Sequence, residues 1–239
     1  MTVFLSSSPC VTGADRAVLN PDNGFVERLT QALPERPSCL FVCSDPESCE
    51  LTDRFAMDMA EAFREAGVEF SDFTVLDFRN ADDVQMLIWQ SDLIILSGGH
   101  VPTQNAFFQE IGLRMLLEDY QGVVLGISAG TMNSAARVYA QPELEGESDP
   151  DFPRFLPGLG LTQVNVLPHY QQVKDYILDG VRLFEDITYA DSMGECFFAL
   201  VDGSYILESG GQTVLFGEAY CIQDGQIEQI AGPGDVTVL

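Results

Sequence analysis

The sequence predicts a single α/β domain over residues 1–239, built on a doubly wound, mostly parallel sheet with an antiparallel β extension at the C-terminal end. Through the first 140 residues, short β-rich apolar runs alternate with segments of helical period, as expected of parallel strands joined by crossover helices. Over about the last 45 residues, short apolar runs are punctuated by Asp202-Gly203, Gly210-Gly211 and Asp224-Gly225, pairs that favour tight turns.

Val3-Phe4-Leu5 is the first expected strand and Cys39 to Cys43 the second, with Cys39 and Cys43 at even spacing and so on one face. A helix is expected from near Thr52 to Gly67, its apolar positions Phe55, Met59, Ala60, Phe63 and Ala66 recurring at three and four residues. Phe73 to Leu76 reads as a strand, Ala81 to Gln90 as a helix, and Asp92 to Leu96 as a strand running into Ser97-Gly98-Gly99-His100. Pro102 suits the first turn of a helix carrying Phe107, Phe108, Ile111, Met115 and Leu116. Val123 to Leu125 is the fifth strand, and Thr131 to Val138 a helix. The acidic, proline-bearing stretch from Gln141 to Pro157 lacks periodicity and reads as a surface loop. Leu161 to Leu167 is expected to be a strand and Val173 to Glu185 a helix.

Composition excludes several functions. The net charge of −26, with Lys174 the sole lysine, repels phosphate backbones and anionic lipid surfaces, so neither nucleic acid nor membrane is an expected partner. No apolar run approaches the roughly 20 residues that span a bilayer. The opening Met1 to Ser6 has no basic segment before its apolar run and reads as a buried strand, so a cytoplasmic location with the six cysteines reduced is expected. With two histidines and no His-Glu-x-x-His spacing, neither a metal nor another cofactor is expected.

The chemistry centres on Gly126-Ile127-Ser128-Ala129-Gly130, a Gly-x-Ser-x-Gly segment directly after a buried strand and before a helix. In that context small neighbours let the backbone turn sharply, exposing the serine oxygen at a helix N-terminus. A serine nucleophile needs a base, and only His100 and His169 exist. Both follow expected strands, where sites of open α/β sheets assemble. His169 is the better placed, with His100 expected to line the pocket. Asp202, at the end of Cys196 to Val201, is a candidate orienting acid, but Asp-Gly between β-runs equally signals a hairpin, and the acids from Glu143 to Asp151 are another source.

These residues together resemble the dipeptidase E and cyanophycinase group of serine peptidases, which have a flavodoxin-like, class I glutamine amidotransferase-like fold. The resemblance rests on Ser97-Gly98-Gly99, on Gly126 to Gly130, on Leu167-Pro168-His169-Tyr170 and on Leu200-Val201-Asp202-Gly203-Ser204. It implies Ser128 as nucleophile, His169 as base and Asp202 as the third member, where that group usually has glutamate. It also implies oxyanion-binding N–H groups at Gly99 and Ala129. Glutamine amidotransferases themselves carry cysteine at the turn and glutamate two residues after the histidine, where this chain has Ser128 and Gln171.

The implied substrate is a small peptide cleaved at an aspartyl or β-aspartyl bond by an acyl-enzyme route, by a monomer or homodimer. Gly99-His100-Val101-Pro102-Thr103-Gln104-Asn105 departs from the Gly-Gly-Gly-Asn-Thr run of aspartyl dipeptidases. Candidate substrate-binding residues are His100, Asn105 and Arg182, and cations for an acidic side chain would come from Arg137, Arg154, Lys174 or Arg182. The same scaffold admits an esterase or other acyl hydrolase, or a non-catalytic small-molecule-binding protein.

Overall fold

The computed structural model describes residues 1–239. Strands β1 (Thr2–Ser6), β2 (Ser38–Val42), β3 (Asp72–Leu76), β4 (Leu93–Leu96) and β5 (Val123–Ile127) are mutually parallel and lie in the order β1-β5-β4-β2-β3. Helices α1 (Phe25–Ala32), α2 (Cys49–Glu65), α3 (Val84–Trp89), α4 (Val101–Glu110) and α5 (Leu113–Leu117) cover the sheet, and α6 (Ala129–Asn133) follows β5. Later strands are β6 (Arg137–Tyr139), β7 (Phe155–Pro157), β8 (Asn165–Leu167), β9 (Ile177–Leu178), β10 (Val181–Arg182), β11 (Cys196–Leu200), β12 (Tyr205–Ser209), β13 (Gln212–Phe216), β14 (Ala219–Gln223), β15 (Gln226–Ala231) and β16 (Val236–Val238).

The central strands are apolar at successive positions because the sheet is covered on both faces. All of Leu93 to Leu96 is fully buried. Alternate residues feed opposite cores: Phe4, Phe41, Ile95 and Leu125 pack with α1 and α2, whereas Leu5, Val42, Leu96 and Val124 pack with α3, α4 and α5. Each such buried side chain contributes about 1.5–3 kcal/mol of transfer free energy. The expected doubly wound sheet is therefore present, and its five strand C-termini point to one edge.

The C-terminal extension divides in two. Strands β12, β13 and β16 continue the main sheet antiparallel beyond β1, making eight strands. Strands β15, β14, β11 and β8 form a second sheet in which β8 runs parallel to β11. Gly210-Gly211 and Asp224-Gly225 are indeed hairpin turns, all four residues having positive φ. Asp202-Gly203 is not a hairpin, because β11 and β12 belong to different sheets.

Several local expectations are corrected. Helix α2 buries Thr52, Ala56, Ala62 and Phe63, with Met59 and Ala66 packed against the same core, so the expected apolar stripe departs at Phe55, which is 55% exposed. The helix beginning at Val101 breaks at Gly112, where φ is 64°, and the reset phase leaves Met115 exposed. The expected helix to Val138 stops at Asn133: Ala136 N–H bonds Thr162 O at 2.9 Å and the chain pairs with β7, so Phe155 to Pro157 is strand rather than loop. Of Leu161 to Leu167, only Asn165 to Leu167 is strand. Val173 to Glu185 is not a helix either. Asp179 and Gly180, with φ of 51° and 85°, close the β9–β10 hairpin, and a π-helical turn follows at Leu183–Thr188. Cys39 and Cys43 are both buried but in different cores, because Cys43 lies beyond the end of β2.

Candidate active site

Ser128 stands directly after β5 with φ 50° and ψ −109°, a conformation that costs a non-glycine residue about 1–3 kcal/mol. The surrounding glycines are required by close packing. A Cβ on Gly126 would lie 2.7 Å from Thr131 Cα, and one on Gly130 would overlap the Leu96 carbonyl. The turn is held by Ser128 N–H, shared between Ser6 O and Ser7 O at 3.2 Å each, and by Gly130 N–H to Ser97 O at 3.1 Å. Gly98 faces this turn, since a Cβ there would sit 3.4 Å from Ser128 Cβ. With only five residues, α6 offers little macrodipole, so any anion at Ser128 would depend on individual N–H groups.

His169 follows β8 in a left-handed conformation, φ 58°, that swings its ring back over the sheet edge. Its Nε2 lies 2.9 Å from Ser128 Oγ and its Nδ1 lies 2.7 Å from Asp202 Oδ1. Ser128, His169 and Asp202 thus form one hydrogen-bonded chain drawn from the ends of β5, β8 and β11. No acid of the Glu143 to Asp151 loop takes the place of Asp202.

Asp202 is 5% exposed at its side chain. Burial alone would raise its pKa, but the hydrogen bond and charge of His169, with the bond from Ser7, outweigh this and hold it at about 2. Ser7, at the end of β1, donates to Asp202 Oδ1 at 2.8 Å and accepts His169 N–H at 2.7 Å. Gln172 Nε2 donates to Asp202 Oδ2 at 2.6 Å, and Gln171 Oε1 accepts the Asp202 N–H at 3.1 Å. Gln171, at the amidotransferase glutamate position, therefore steadies the acid's backbone.

A cavity of about 210 Å³ opens beside this chain, with Gly99, Ser128 and His169 on its floor. Val101, Met132, Val173, Tyr176 and Leu183 supply apolar walls, and Gln141, Pro142 and Glu143 of the acidic loop close one side. That loop is tied down. Glu147 accepts the N–H groups of Glu143 and Leu144 at 2.8 and 3.0 Å and meets His100 Nε2 at 2.8 Å, while Gln141 donates to Thr188 Oγ1 at 2.7 Å.

Other sequence candidates lie elsewhere. His100 does not line the cavity, its Nδ1 and Nε2 being taken by Thr103 and Glu147 at 2.8 Å each. Asn105 is buried and bonds Asn133 Oδ1 and Pro157 O, a structural role. Arg182 pairs with Asp186, Arg137 with Glu195 and Arg154 with Asp191, and Lys174 is exposed, so none of the four lines the cavity. Sequence reasoning missed Ser7 and Gln172, and it offered Glu143 as a source of the orienting acid, whereas Glu143 lies in the cavity wall. The polar run Ser6-Ser7-Ser8 directly after a strand was a usable signal for the first. No group of three or more His, Cys, Asp or Glu side chains is arranged to hold a metal, and no helix is long and apolar enough to cross a membrane.

A serine within reach of a histidine at the C-terminal edge of an open, doubly wound sheet defines the serine hydrolase class. The chain belongs to peptidase family S51, the family of dipeptidase E, whose model matches residues 18–213. It is a serine peptidase by that membership. Among solved structures it is similar to a peptidase from an acI-B1 Actinobacterium, with 18% identity over 100% of this chain and 96% of that one and a TM-score of 0.64. It is also similar to a protein of Listeria monocytogenes EGD-e described as a candidate peptidase E, with 14% identity over 96% and 98% of the two chains and a TM-score of 0.59. At these identities the likeness concerns the fold. No curated protein matches the sequence significantly.

Proposed function

We propose that the protein hydrolyses small peptides through an acyl-enzyme on Ser128, with His169 as general base and acid and Asp202 orienting the imidazole. The single observation that carries this is the hydrogen-bonded order Oγ, Nε2, Nδ1, Oδ1 at 2.9 and 2.7 Å. His169 Nε2 takes the Ser128 proton as Oγ bonds the peptide carbonyl carbon. The same proton passes to the leaving nitrogen as the C–N bond breaks. Water then attacks the ester, giving one proton to His169, which returns it to Ser128 Oγ as the acid leaves.

The N–H groups of Gly99 and Ala129 are the proposed oxyanion donors, each contributing about 3–4 kcal/mol to the transition state. Gly99 lines the cavity beside Ser128, and Ala129 opens the helix after it. The cavity's 210 Å³ is below the roughly 300–1,000 Å³ usual for drug-sized ligands, which favours short peptides. An aspartyl side chain at the cleaved bond, the preference that the resemblance implies, would meet no lysine or arginine in this wall. The test is amino-acid release from dipeptides with aspartyl, β-aspartyl, neutral and basic first residues by the wild type and Ser128→Ala. Release by the wild type alone supports the reading, and equal release by both rejects it.

A further inference from the structure

Glu143 is the only acidic residue in the wall of the cavity that holds Ser128. Its carboxylate accepts no hydrogen bond from the protein, although its own N–H is fixed on Glu147. Val101, Met132, Val173, Tyr176 and Leu183 are the cavity's apolar side chains, and no lysine or arginine is among its lining residues. A carboxylate so placed would repel an acidic group on the acyl side of the scissile bond and attract a cation. The arrangement is also built rather than incidental. Glu147, clamped by His100 at 2.8 Å, accepts the N–H groups of both Glu143 and Leu144 and so fixes the backbone that carries Glu143.

We propose that Glu143 is the specificity-determining residue of this site, binding an ammonium or other cationic nitrogen on the acyl residue of a short peptide, and that His100 positions it through Glu147. This rests on acyl transfer to Ser128 as proposed above. Glu143 stands at the exposed rim of the cavity, and partial desolvation there raises its carboxyl above the ordinary value, with His100 and His169 opposing the rise and Glu147 adding to it. The apolar walls suit an aliphatic first side chain, with the peptide's own α-ammonium group on Glu143; a lysine side chain could supply the same chemistry.

The test compares Leu-Gly, N-acetyl-Leu-Gly, N-acetyl-Lys-Gly and Asp-Gly as substrates of the wild type, Glu143→Gln and His100→Gln, with an aryl acetate ester as a cation-free control. Cleavage of Leu-Gly at least tenfold better in kcat/KM than N-acetyl-Leu-Gly and Asp-Gly is expected. Glu143→Gln should raise KM for Leu-Gly about tenfold or more and change kcat/KM for the ester by a much smaller factor, and His100→Gln should raise KM in the same sense with kcat retained. Restored cleavage of N-acetyl-Lys-Gly would assign the cation to the side chain instead of the α-amine, within the same proposal. Ester turnover with no discrimination between free and acetylated peptides, or with Asp-Gly preferred, would overturn the proposal while leaving Ser128 as nucleophile. Loss of both peptide and ester turnover in the wild type would overturn both readings.

Discussion

Ser7 Oγ donates to Asp202 Oδ1 at 2.8 Å, tying the end of the first strand to a turn 195 residues later. The same oxygen accepts the His169 N–H, so one hydroxyl fixes the positions of the orienting acid and of the base's backbone. Replacing Ser7 with Ala removes both bonds and leaves a partly buried N–H unpaired, at a cost of about 1–3 kcal/mol. We expect a fall in kcat of about tenfold with KM little changed, and a lower melting temperature; unchanged kcat would show that Ser7 is not a positioning residue.

The strained turn at Ser128 leads to a second prediction. Glycine tolerates positive φ at little cost, so Ser128→Gly should abolish activity yet raise stability by about 1 kcal/mol, whereas Ser128→Ala, which keeps the Cβ, should abolish activity without that gain. Thermal unfolding of the two variants side by side reads the difference.

Asp202 links activity to acid stability. With its pKa held at about 2 against an ordinary 3.8, the folded state favours the carboxylate, so its contribution is complete above about pH 4 and is lost as pH falls toward 2. The shift corresponds to about 2 kcal/mol. Asp202→Asn should therefore be less stable than the wild type at pH 6, with the gap closing by pH 2. Its kcat should drop about 10⁴-fold, as expected when the imidazole loses its orienting acid. A stability gap that is constant from pH 6 to pH 2 would contradict this account.

Glu143 behaves in the opposite sense. Because its pKa is raised, the folded state favours the neutral acid, and ionisation costs stability as pH rises through the raised pKa. Glu143 is exposed to solvent, so that cost is small, and Glu143→Gln is expected to melt little higher than the wild type at neutral pH while binding amine-bearing substrates less well, as thermal unfolding and KM for Leu-Gly would read.

Much of this was legible in the sequence because the signals are local. Leu93-Ile94-Ile95-Leu96 can only be buried on both faces, and Gly126 to Gly130 after an apolar run marks a turn whose glycines are sterically required. The order of Ser128, His169 and Asp202 at strand ends also survived, although Asp-Gly at Asp202 carried an equally good hairpin signal. Only pairing between distant strands settles that point, since β11 and β12 enter different sheets. The same non-local pairing ended α6 early at Asn133 and divided the expected Val173 to Glu185 helix into a hairpin and a π-turn. Side-chain reach was the least legible. Nothing local to His100 shows that its ring is spent on Thr103 and Glu147, nor that a loop of Gln, Pro and Glu folds back as the cavity wall.

The central claim is that Ser128 is the nucleophile of a peptide-hydrolysing site. It is tested most directly by quantifying free amino acids released from a dipeptide panel by the wild type and by Ser128→Ala under identical conditions. The account predicts release by the wild type and a loss of at least about 10³-fold in the variant. Release at equal rates from both proteins would contradict it.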